Sequence, residues 1–346
     1  MNENKLIVDL RSDTVTRPTA GMLEAMYSAK VGDDVFGEDE TVNALQNKVS
    51  DLFGMEDALF CPSGTMTNQI GIKCFTNPMD EVICDETAHV YRYEGGGIAF
   101  NSSASVRLLN GDRGRLNADL IEPHINPDNV HYPKSSLVVL ENTVNRGGGS
   151  FYTLNQIEPI YHLCRVKNMS LHLDGARIFN ALVETGDDPK KYGRMFDGIS
   201  VCLSKGLGAP VGSVLLGSKE TIQKAKRIRK VFGGGWRQAG FLAAAGIYAL
   251  DHHINRLKDD HKNAKILAET LMSLPYVKSC MPADTNIVIF ELHAKHNPEE
   301  FVEKLSHYGI KCNTFGKQMI RFVTHLDISD AMIDQTVQTL KKIIIN

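Results

Sequence analysis

The chain has 346 residues, of which 42% are hydrophobic and 23% are charged, and its formal net charge at pH 7 is −3. This apolar fraction is unlike that of a disordered chain, and it is ample for a sizeable core. The near-neutral charge gives no reason to expect a nucleic acid as partner, because such proteins concentrate positive charge. The length exceeds what one ordinary core organises, so we expect two domains.

The seven cysteines are scattered, odd in number and without a CxxC pair, which is typical of free thiols in a reducing compartment. The first residues, MNENKLIVDLRSD, lack the apolar segment of a secretion signal. No stretch of the sequence approaches the length of a transmembrane helix. We therefore expect a cytoplasmic protein that enters no membrane.

In chain order, the first distinct segment is 8–16, which fits no predicted unit and is interpreted as an arm near the active site. Between about residues 40 and 250, short apolar runs alternate with longer helical patterns, which predicts βα units and a mostly parallel sheet. The predicted strands are 81–84, 136–140, 170–173, 199–203 and 213–216. The predicted helices are 41–53, 65–75, 154–166 and 219–230.

Residues 251–346 change character. The pattern predicts a long charged helix at 252–272, a strand at 286–292, a helix near 298–308, a strand at 319–323 and a last helix from Ser329. The predicted fold is therefore α/β. A large domain (1–250, with an N-terminal arm at 1–16) holds a mostly parallel sheet flanked by helices, and a smaller α+β domain follows at 251–346. Ligands of such sheets bind in the loops beyond the carboxyl ends of the strands.

Two loops of this kind carry an amine and an acid. Lys205 follows the predicted strand 199–203 in SKGLG, whose glycines let a flat ligand approach closely. Apolar surroundings there make an amine more nucleophilic. Asp174 ends the predicted strand 170–173, where a carboxylate can hold a pyridine nitrogen protonated. The ordinary alternatives are a surface lysine in a turn and a helix N-cap. Arg177 is placed to pair with Asp174 or to reach the phenolic oxygen of such a ring.

An anion site is predicted at Ser63, Gly64 and Thr65, where hydroxyls and free N–H groups precede a helix and suit a phosphate. The same residues also serve in plain helix capping. His89 follows the predicted strand 81–84 and can stack on a ring face, although a lone histidine is more often structural. Amine, acid, anion site and stacking partner together are the groups that a phosphorylated pyridine aldehyde requires. They indicate pyridoxal 5'-phosphate, held as a Schiff base on Lys205.

A set of motifs recurs in a fixed order along the chain: LRSDTVTRPT, VGDDVFGEDETVNALQ, CPSGTMTNQ, HLDGARIFNA, SKGLGAPVGS, GGGWRQAGFLAAAGIYAL and RFVTHLD. From about Asp9 to its end, the chain thereby resembles the low-specificity L-threonine aldolases, which are fold type I pyridoxal-phosphate enzymes of the aspartate-aminotransferase-like group. The resemblance implies reversible cleavage of L-threonine and L-allo-threonine to glycine and acetaldehyde. It also implies a small amino acid as substrate and a homotetramer whose subunits share active sites.

The resemblance also assigns roles to individual residues. The implied cofactor-binding set is Ser63, Gly64, Thr65, His89, Asp174, Arg177, Lys205, Lys230 and Arg237, of which Lys230 and Arg237 resemble contributions from a neighbouring subunit. The implied catalytic set is Lys205, His89, His131 and Asp174, with either histidine as the base for the β-hydroxyl proton. The implied substrate-binding set is Ser12, Arg177 and Arg321. No metal is expected.

Two positions depart from the family pattern. Val144 stands where the family often has a histidine in Glu-Asn-Thr-His-Asn, so any role of that imidazole is absent. Phe36 stands where a tyrosine is common, and the lost hydroxyl bears on discrimination at the β-carbon or on the preferred substrate. Neither change touches the cofactor set.

Alternative functions stay open at this point. One is another pyridoxal-phosphate activity on the same scaffold, such as a β-eliminating lyase or a phenylserine-type aldolase, which product analysis distinguishes. Another is a non-catalytic binding protein of the same fold, which has no chemical need for Lys205 and Asp174. A nucleotide-binding dehydrogenase is set aside, because no GxGxxG follows the first predicted strand.

Overall fold

The computed structural model describes residues 6–343 of the chain. Its strands are β1 (Val8–Asp9), β2 (Asp57–Cys61), β3 (Glu81–Asp85), β4 (Ser105–Leu109), β5 (Ser135–Glu141), β6 (Ser170–Gly175), β7 (Gly198–Cys202), β8 (Ser213–Gly217), β9 (Val277–Cys280), β10 (Ile287–Leu292), β11 (Ile310–Lys311), β12 (Asn313–Thr314) and β13 (Met319–Val323). Its helices are α1 (Ala20–Tyr27), α2 (Glu40–Phe53), α3 (Gly64–Phe75), α4 (His89–Arg92), α5 (Ala118–Ile121), α6 (Leu154–Val166), α7 (Ile178–Thr185), α8 (Pro189–Met195), α9 (Lys219–Val231), α10 (Gly240–His252), α11 (Leu257–Met272), α12 (Pro298–His307) and α13 (Asp330–Lys342). Short 3₁₀ turns lie at Asp13–Val15, Asp34–Phe36 and Glu122–His124, and a short π-helix lies at Ile98–Ser102.

The larger sheet has seven strands within residues 6–343, in the order β2-β8-β7-β6-β5-β3-β4. Neighbouring strands from β4 to β7 pair in parallel, whereas β8 is antiparallel to β7 and to β2. Strands β3, β5, β7 and β8 are buried along their whole length, as expected for a sheet that helices cover. Helices α2, α3 and α6 pack against it. The predicted α/β class and its mostly parallel sheet are confirmed.

Helix α2 illustrates how the local sequence produces these elements. Asp39 caps its first turn by accepting a hydrogen bond from the Val42 N–H at 3.0 Å. Apolar side chains at helical spacing, including Leu45 and Val49, form its buried face, and each contributes about 1.5–3 kcal/mol by leaving water. Gly54 ends the helix with a φ of 63°, in the left-handed region that favours glycine.

A smaller antiparallel sheet, ordered β12-β13-β10-β9 in the described part of the chain, forms a second core with α11, α12 and α13. The segment 8–16, which the sequence predicted to be an arm near the active site, begins against this core, and its Asp13 and Thr16 contact Arg177 and Lys205. Val8 pairs in parallel with Ile310, and the Leu10 N–H donates to the Lys311 carbonyl at 2.8 Å. The domain boundary at residue 250 stays a prediction.

The predicted helix at 252–272 is interrupted in the structure. Helix α10 ends at His252 and α11 begins at Leu257, with a turn between them. The turn is held because the His253 ring nitrogen Nδ1 lies 2.7 Å from the Leu207 carbonyl oxygen, in the loop that carries Lys205. Within the described part of the chain, none of the helices combines the length and apolarity needed to cross a bilayer.

Candidate active site

The carboxyl edge of the large sheet brings Lys205 and Asp174 together. Strands β6 and β7 are parallel neighbours, with Asp174 paired with Ser200, and Lys205 follows β7 by three residues. The loop after β7 closes when the Gly208 N–H donates to the Lys205 carbonyl at 2.8 Å. Gly208 has a φ of 80°, which favours glycine at this point of the turn. Lys205 therefore lies at the mouth of the sheet, as predicted.

Asp174 is buried, and its two oxygens differ. Oδ1 accepts a hydrogen bond from the Ala176 N–H at 3.1 Å, as an acid does in a turn. Oδ2 is buried without a hydrogen-bond partner among residues 6–343. A buried carboxylate oxygen without a donor is costly, so this atom fits a ligand that brings its own N–H. The protonated nitrogen of a pyridine ring is such a group.

His89 begins α4 at the same edge, and buried acids fix its ring and its backbone. Its Nδ1 lies 2.9 Å from Oε1 of Glu94, and its backbone N–H donates to Oε2 of Glu141 at 2.8 Å. Glu94 also accepts hydrogen bonds from Asn68 at 3.0 Å and from Gln69 at 2.6 Å. The imidazole is thus held by side chains that are themselves held, which suits a stacking partner or a base.

Charge around His89 favours its protonated form. Burial lowers the pKa of His89, but the hydrogen bond to Glu94 and the negative charge of Asp174 outweigh it and raise that pKa above its usual value. Burial raises the pKa of the Glu141 carboxyl, and the charge of Asp174 adds to that rise. Sequence reasoning missed both glutamates. Glu94 does not lie directly after a predicted strand, and Glu141, which does follow the predicted strand 136–140, carries no sign in the local sequence that it binds the His89 backbone.

Three side chains at this edge lie close enough together to hold a cation. Atoms of His89, Glu94 and Asp174 lie within 4.8 Å of one another. Both Glu94 oxygens already accept hydrogen bonds from side-chain amides, so the trio offers an ion little free ligand capacity. The expectation that no metal takes part stays a prediction.

Arg177 forms a buried ion pair, and its partner is Asp13 rather than Asp174. Its Nε and Nη2 donate to the two Asp13 oxygens at 2.7 and 2.8 Å. Burial opposes the charge on Asp13, but Arg177, followed by Lys205, holds the pKa of that carboxyl well below its usual range. The sequence alternative of an Arg177–Asp174 pair is therefore wrong, because the N-terminal segment delivers a closer acid that takes both donors.

Arg321 lies beside the N-terminal segment that carries Ser12. Arg321 donates from Nη1 to the Asn145 side chain at 2.7 Å and from Nη2 to the carbonyl of Arg11 at 3.0 Å, next to Ser12 in the chain. Its Nε is buried without a partner among the described residues. Burial and then the charge of Arg177 lower the pKa of Arg321 to about 10. An anionic group would satisfy Nε and offset this repulsion.

The predicted phosphate site lies at the start of α3. Ser63 is its N-cap, and its side chain accepts a hydrogen bond from the Met66 N–H at 3.2 Å. Gly64 and Thr65 offer first-turn N–H groups, which have no partner within a helix. Ser63 and Thr65 line a cavity of about 600 Å³. The rim of this cavity includes Phe100, whose side chain is largely exposed.

Three predicted residues are not brought to this edge within the chain. His131 lies exposed in the turn before β5, at the amino end of that strand. Lys230 lies on the exposed side of α9, and Arg237 pairs with Asp33 at 2.8 Å. Lys230 lines a surface cavity of about 470 Å³ beside Phe36. The roles of these three residues stay predictions.

The two departures from the family pattern occupy different environments. Val144 is buried in the main core, where its Cγ1 would lie 2.5 Å from a Cβ placed on Gly114. Valine at this position therefore serves packing. Phe36 is 74% exposed at the end of a short helical turn, so no described residue of the chain encloses its ring.

Comparisons with known proteins identify the family of the chain. The family model for beta-eliminating lyases matches residues 9–295. The low specificity L-threonine aldolase of Escherichia coli K12 is 41% identical over 324 residues, covering 93% of this chain and 95% of the relative. The Saccharomyces cerevisiae low specificity L-threonine aldolase is 40% identical over 313 residues, covering 88% of this chain and 79% of the relative.

The fold comparison points the same way. The threonine aldolase structure from Leishmania major superposes with a TM-score of 0.85 and covers 97% of this chain and 99% of that one, at 22% identity. That identity supports the shared fold alone, whereas the sequence relatives carry the family. The protein is thus a lyase of the beta-eliminating lyase family, and within it the chain belongs to the low-specificity L-threonine aldolases.

Proposed function

We propose that the protein is a pyridoxal 5'-phosphate-dependent aldolase that cleaves L-threonine and L-allo-threonine reversibly to glycine and acetaldehyde. The observation that carries this proposal is the unpartnered Oδ2 of buried Asp174 at the sheet edge that also holds Lys205. The names of the sequence relatives support the substrate class.

The residues at the edge suit this cofactor in number and chemistry. Lys205 would hold its aldehyde carbon, Asp174 its ring nitrogen, and His89 one ring face. Ser63 and Thr65 would hold its phosphate at the start of α3. When bound, pyridoxal phosphate supplies an electron sink for the pair released as the Cα–Cβ bond breaks.

Substrate positioning falls to residues of the small domain and the N-terminal segment. Arg321, with its free Nε, binds the α-carboxylate beside Ser12, and this anchor sets which bond of Cα faces the ring. His89 takes the proton from the β-hydroxyl, because Glu94 holds it at this edge, whereas His131 lies in an exposed turn at the amino end of β5. Glu94 stabilises the imidazolium that results.

Assembly into a homotetramer with shared active sites is part of the proposal. Phe100 and Val231, at the rim of the phosphate-site cavity, are 88% and 82% exposed. Exposed apolar side chains grouped in this way mark interaction surfaces. We also propose a cytoplasmic location, which is supported by seven cysteines that are all free thiols within residues 6–343.

Replacement of Lys205 tests the function directly. Wild-type protein should absorb visible light and release acetaldehyde from L-threonine and L-allo-threonine. Lys205→Ala should show neither a borohydride-reducible adduct nor aldehyde release, whereas Lys258→Ala, an exposed lysine on α11, should match wild type. An adduct retained in Lys205→Ala would contradict the assignment. Release of pyruvate and ammonia instead of acetaldehyde would favour the β-eliminating alternative.

A further inference from the structure

A second arginine, Arg146, lies beside the substrate-binding residues. It follows Asn145, which accepts a hydrogen bond from Arg321. Its Nε donates to the Tyr93 hydroxyl at 2.7 Å, and its guanidinium carbon lies 4.2 Å from the centre of the Phe315 ring. Arg321 lies 4.5 Å from the centre of that same ring. The two guanidinium carbons are therefore no further apart than the sum of these two distances.

A cavity adjoins Arg146. Its volume is about 240 Å³, against a share of roughly 30 Å³ for one water molecule in the liquid. The cavity is lined by Thr87, Arg92, Arg146, Ile289, Phe315 and Met319. Thr87 lies two residues before His89, and the Tyr93 ring that holds Arg146 is 5.6 Å from the His89 ring. The cavity is thus next to the catalytic residues.

The charge balance of this cavity is positive. Among residues 6–343, no carboxylate lies within ion-pair distance of Arg92, Arg146 or Arg321. The nearby acid Asp13 forms its ion pair with Arg177. Stacking on Phe315, the hydrogen bond from Nε to Tyr93 and the hydrogen bond from Nη1 to the Phe315 carbonyl fix the plane of Arg146. Its Nη2 has no hydrogen-bond partner among residues 6–343, and the fixed plane reduces the entropy lost when a planar anion binds there.

We propose that Arg146, assisted by Arg92, forms a second anion subsite for the distal carboxylate of a β-hydroxy amino acid. The inference rests on the proposed aldolase function and extends it to substrates whose side chain ends in a carboxylate. Arg321 takes the α-carboxylate, and Arg146, which contacts the same Phe315 ring, takes the distal one. With β-hydroxy-L-aspartate, the Cα–Cβ bond breaks, the β-hydroxyl loses its proton and Cα gains one, which gives glyoxylate and glycine.

The matched substrates for a test are β-hydroxy-L-aspartate and its neutral amide, β-hydroxy-L-asparagine, which have nearly the same size. We expect wild-type kcat/KM to favour the acid, and Arg146→Gln to lower the acid-to-amide ratio by about tenfold or more, as loss of a charged hydrogen bond does. Arg146→Lys should keep part of the preference. Because the measured quantity is a ratio, partial misfolding of a variant cancels. An equal loss on both substrates would overturn the subsite.

A binding measurement separates this proposal from the aldolase assignment. Titration calorimetry with succinate and its monoamide should give tighter binding of the diacid to wild type and to Arg194→Gln, an exposed arginine of α8. Arg146→Gln should bind the two ligands alike. Succinate affinity unchanged in Arg146→Gln would overturn the subsite. Failure of wild type to cleave L-threonine would contradict only the proposed function, since the succinate titration does not depend on it.

Discussion

The two ends of the active site are built differently. At the ring end, Asp13 and Arg177 form a buried pair, and Glu94 holds His89 while accepting two further hydrogen bonds. At the phosphate end, the start of α3 faces an open cavity whose rim includes the exposed Phe100. Within one chain, the residues at the ring end are held by buried partners, whereas the phosphate end opens to the surface.

The difference follows from what each end must do. Groups that stabilise developing charge work best when they are buried and already oriented, so Asp13, Arg177 and Glu94 are buried and held by partners at the ring end, where Asp174 Oδ2 is kept for a ligand. A phosphate site needs only backbone N–H groups and hydroxyls, which a helix start supplies without a closed cavity. The exposed apolar rim is where a second copy of the chain is proposed to pack. Four predictions, ordered by expected effect, test this contrast.

The largest effect is expected from Asp174→Asn at the ring end. The amide cannot stabilise a protonated ring nitrogen through its charge, so kcat/KM for L-threonine should fall by about a thousandfold, comparable to loss of a well-placed electrostatic group. Steady-state kinetics measure the loss. Asp119→Asn, an exposed acid on α5, should retain wild-type activity. A fall of less than about threefold in Asp174→Asn would contradict a special role for this end.

The closed end should also be sensitive to acid. His172 is buried on β6, and burial lowers its pKa to about 4. Between its usual value of 6.5 and about 4, only the unfolded chain binds this proton. The contribution of buried, neutral His172 to the free energy of unfolding should therefore be complete above pH 6.5. It should fall by about 3 kcal/mol as the pH drops to 4.

Urea unfolding at pH 7.5 and at pH 4.5 measures this dependence. His172→Gln should remove about one proton from the difference between the two pH values, because glutamine does not titrate. The exposed His162 on α6 offers a control, since His162→Gln should leave the pH dependence as in wild type. Equal slopes in wild type and His172→Gln would show that acid sensitivity arises elsewhere.

Glu94→Gln should have an intermediate effect. The neutral amide no longer stabilises the imidazolium of His89, so kcat should fall by about tenfold to a hundredfold. The pKa of His89 should drop, and the acidic limb of the pH–activity profile should move to lower pH, because a base must be unprotonated to act. Glu269→Gln, an exposed residue of α11, is the control. If kcat falls but the acidic limb of the pH–activity profile does not move, the role of Glu94 is structural only.

The smallest effect is expected at the open end. Val231→Asp introduces charge on the exposed apolar rim and should weaken subunit association by about tenfold, as loss of one interface contact does. Sedimentation at several protein concentrations measures it. Val166→Asp, on a similarly exposed valine of α6, should leave association unchanged. If both variants change subunit association equally, or neither changes it, the rim is not part of the proposed interface.

Local sequence predicted the elements with strong periodicity or clear capping. The prediction at 154–166 matches α6, whose N-cap Thr153 forms a capping box with Gln156, and the prediction at 319–323 matches β13. Strands β2 and β4 were not predicted. β4 is a partly exposed edge strand, so its pattern of apolar residues is weak.

The same contrast applies to the site. Lys205, Asp174 and His89 were predicted as site residues because each lies at the carboxyl end of a predicted strand or a few residues beyond it, and parallel strands end at a common edge. Asp13, Glu94 and Glu141 were not predicted, because their roles are visible only from the residues that they contact in the folded chain. Asp13 and Arg177 are 164 residues apart in sequence, and His89 and Glu141 are 52 apart.

The sequence by itself therefore determined the class of fold, the strands and helices with a strong pattern, and the loop positions of the amine, the acid and the anion site. These properties follow from periodicity and turn chemistry, which act over a few residues. Only the tertiary structure decided that Arg177 pairs with Asp13, that Glu141 binds the His89 backbone, and that Arg146 shares an aromatic ring with Arg321. Such contacts depend on how distant segments pack, because charge and hydrogen bonding act through space rather than along the chain.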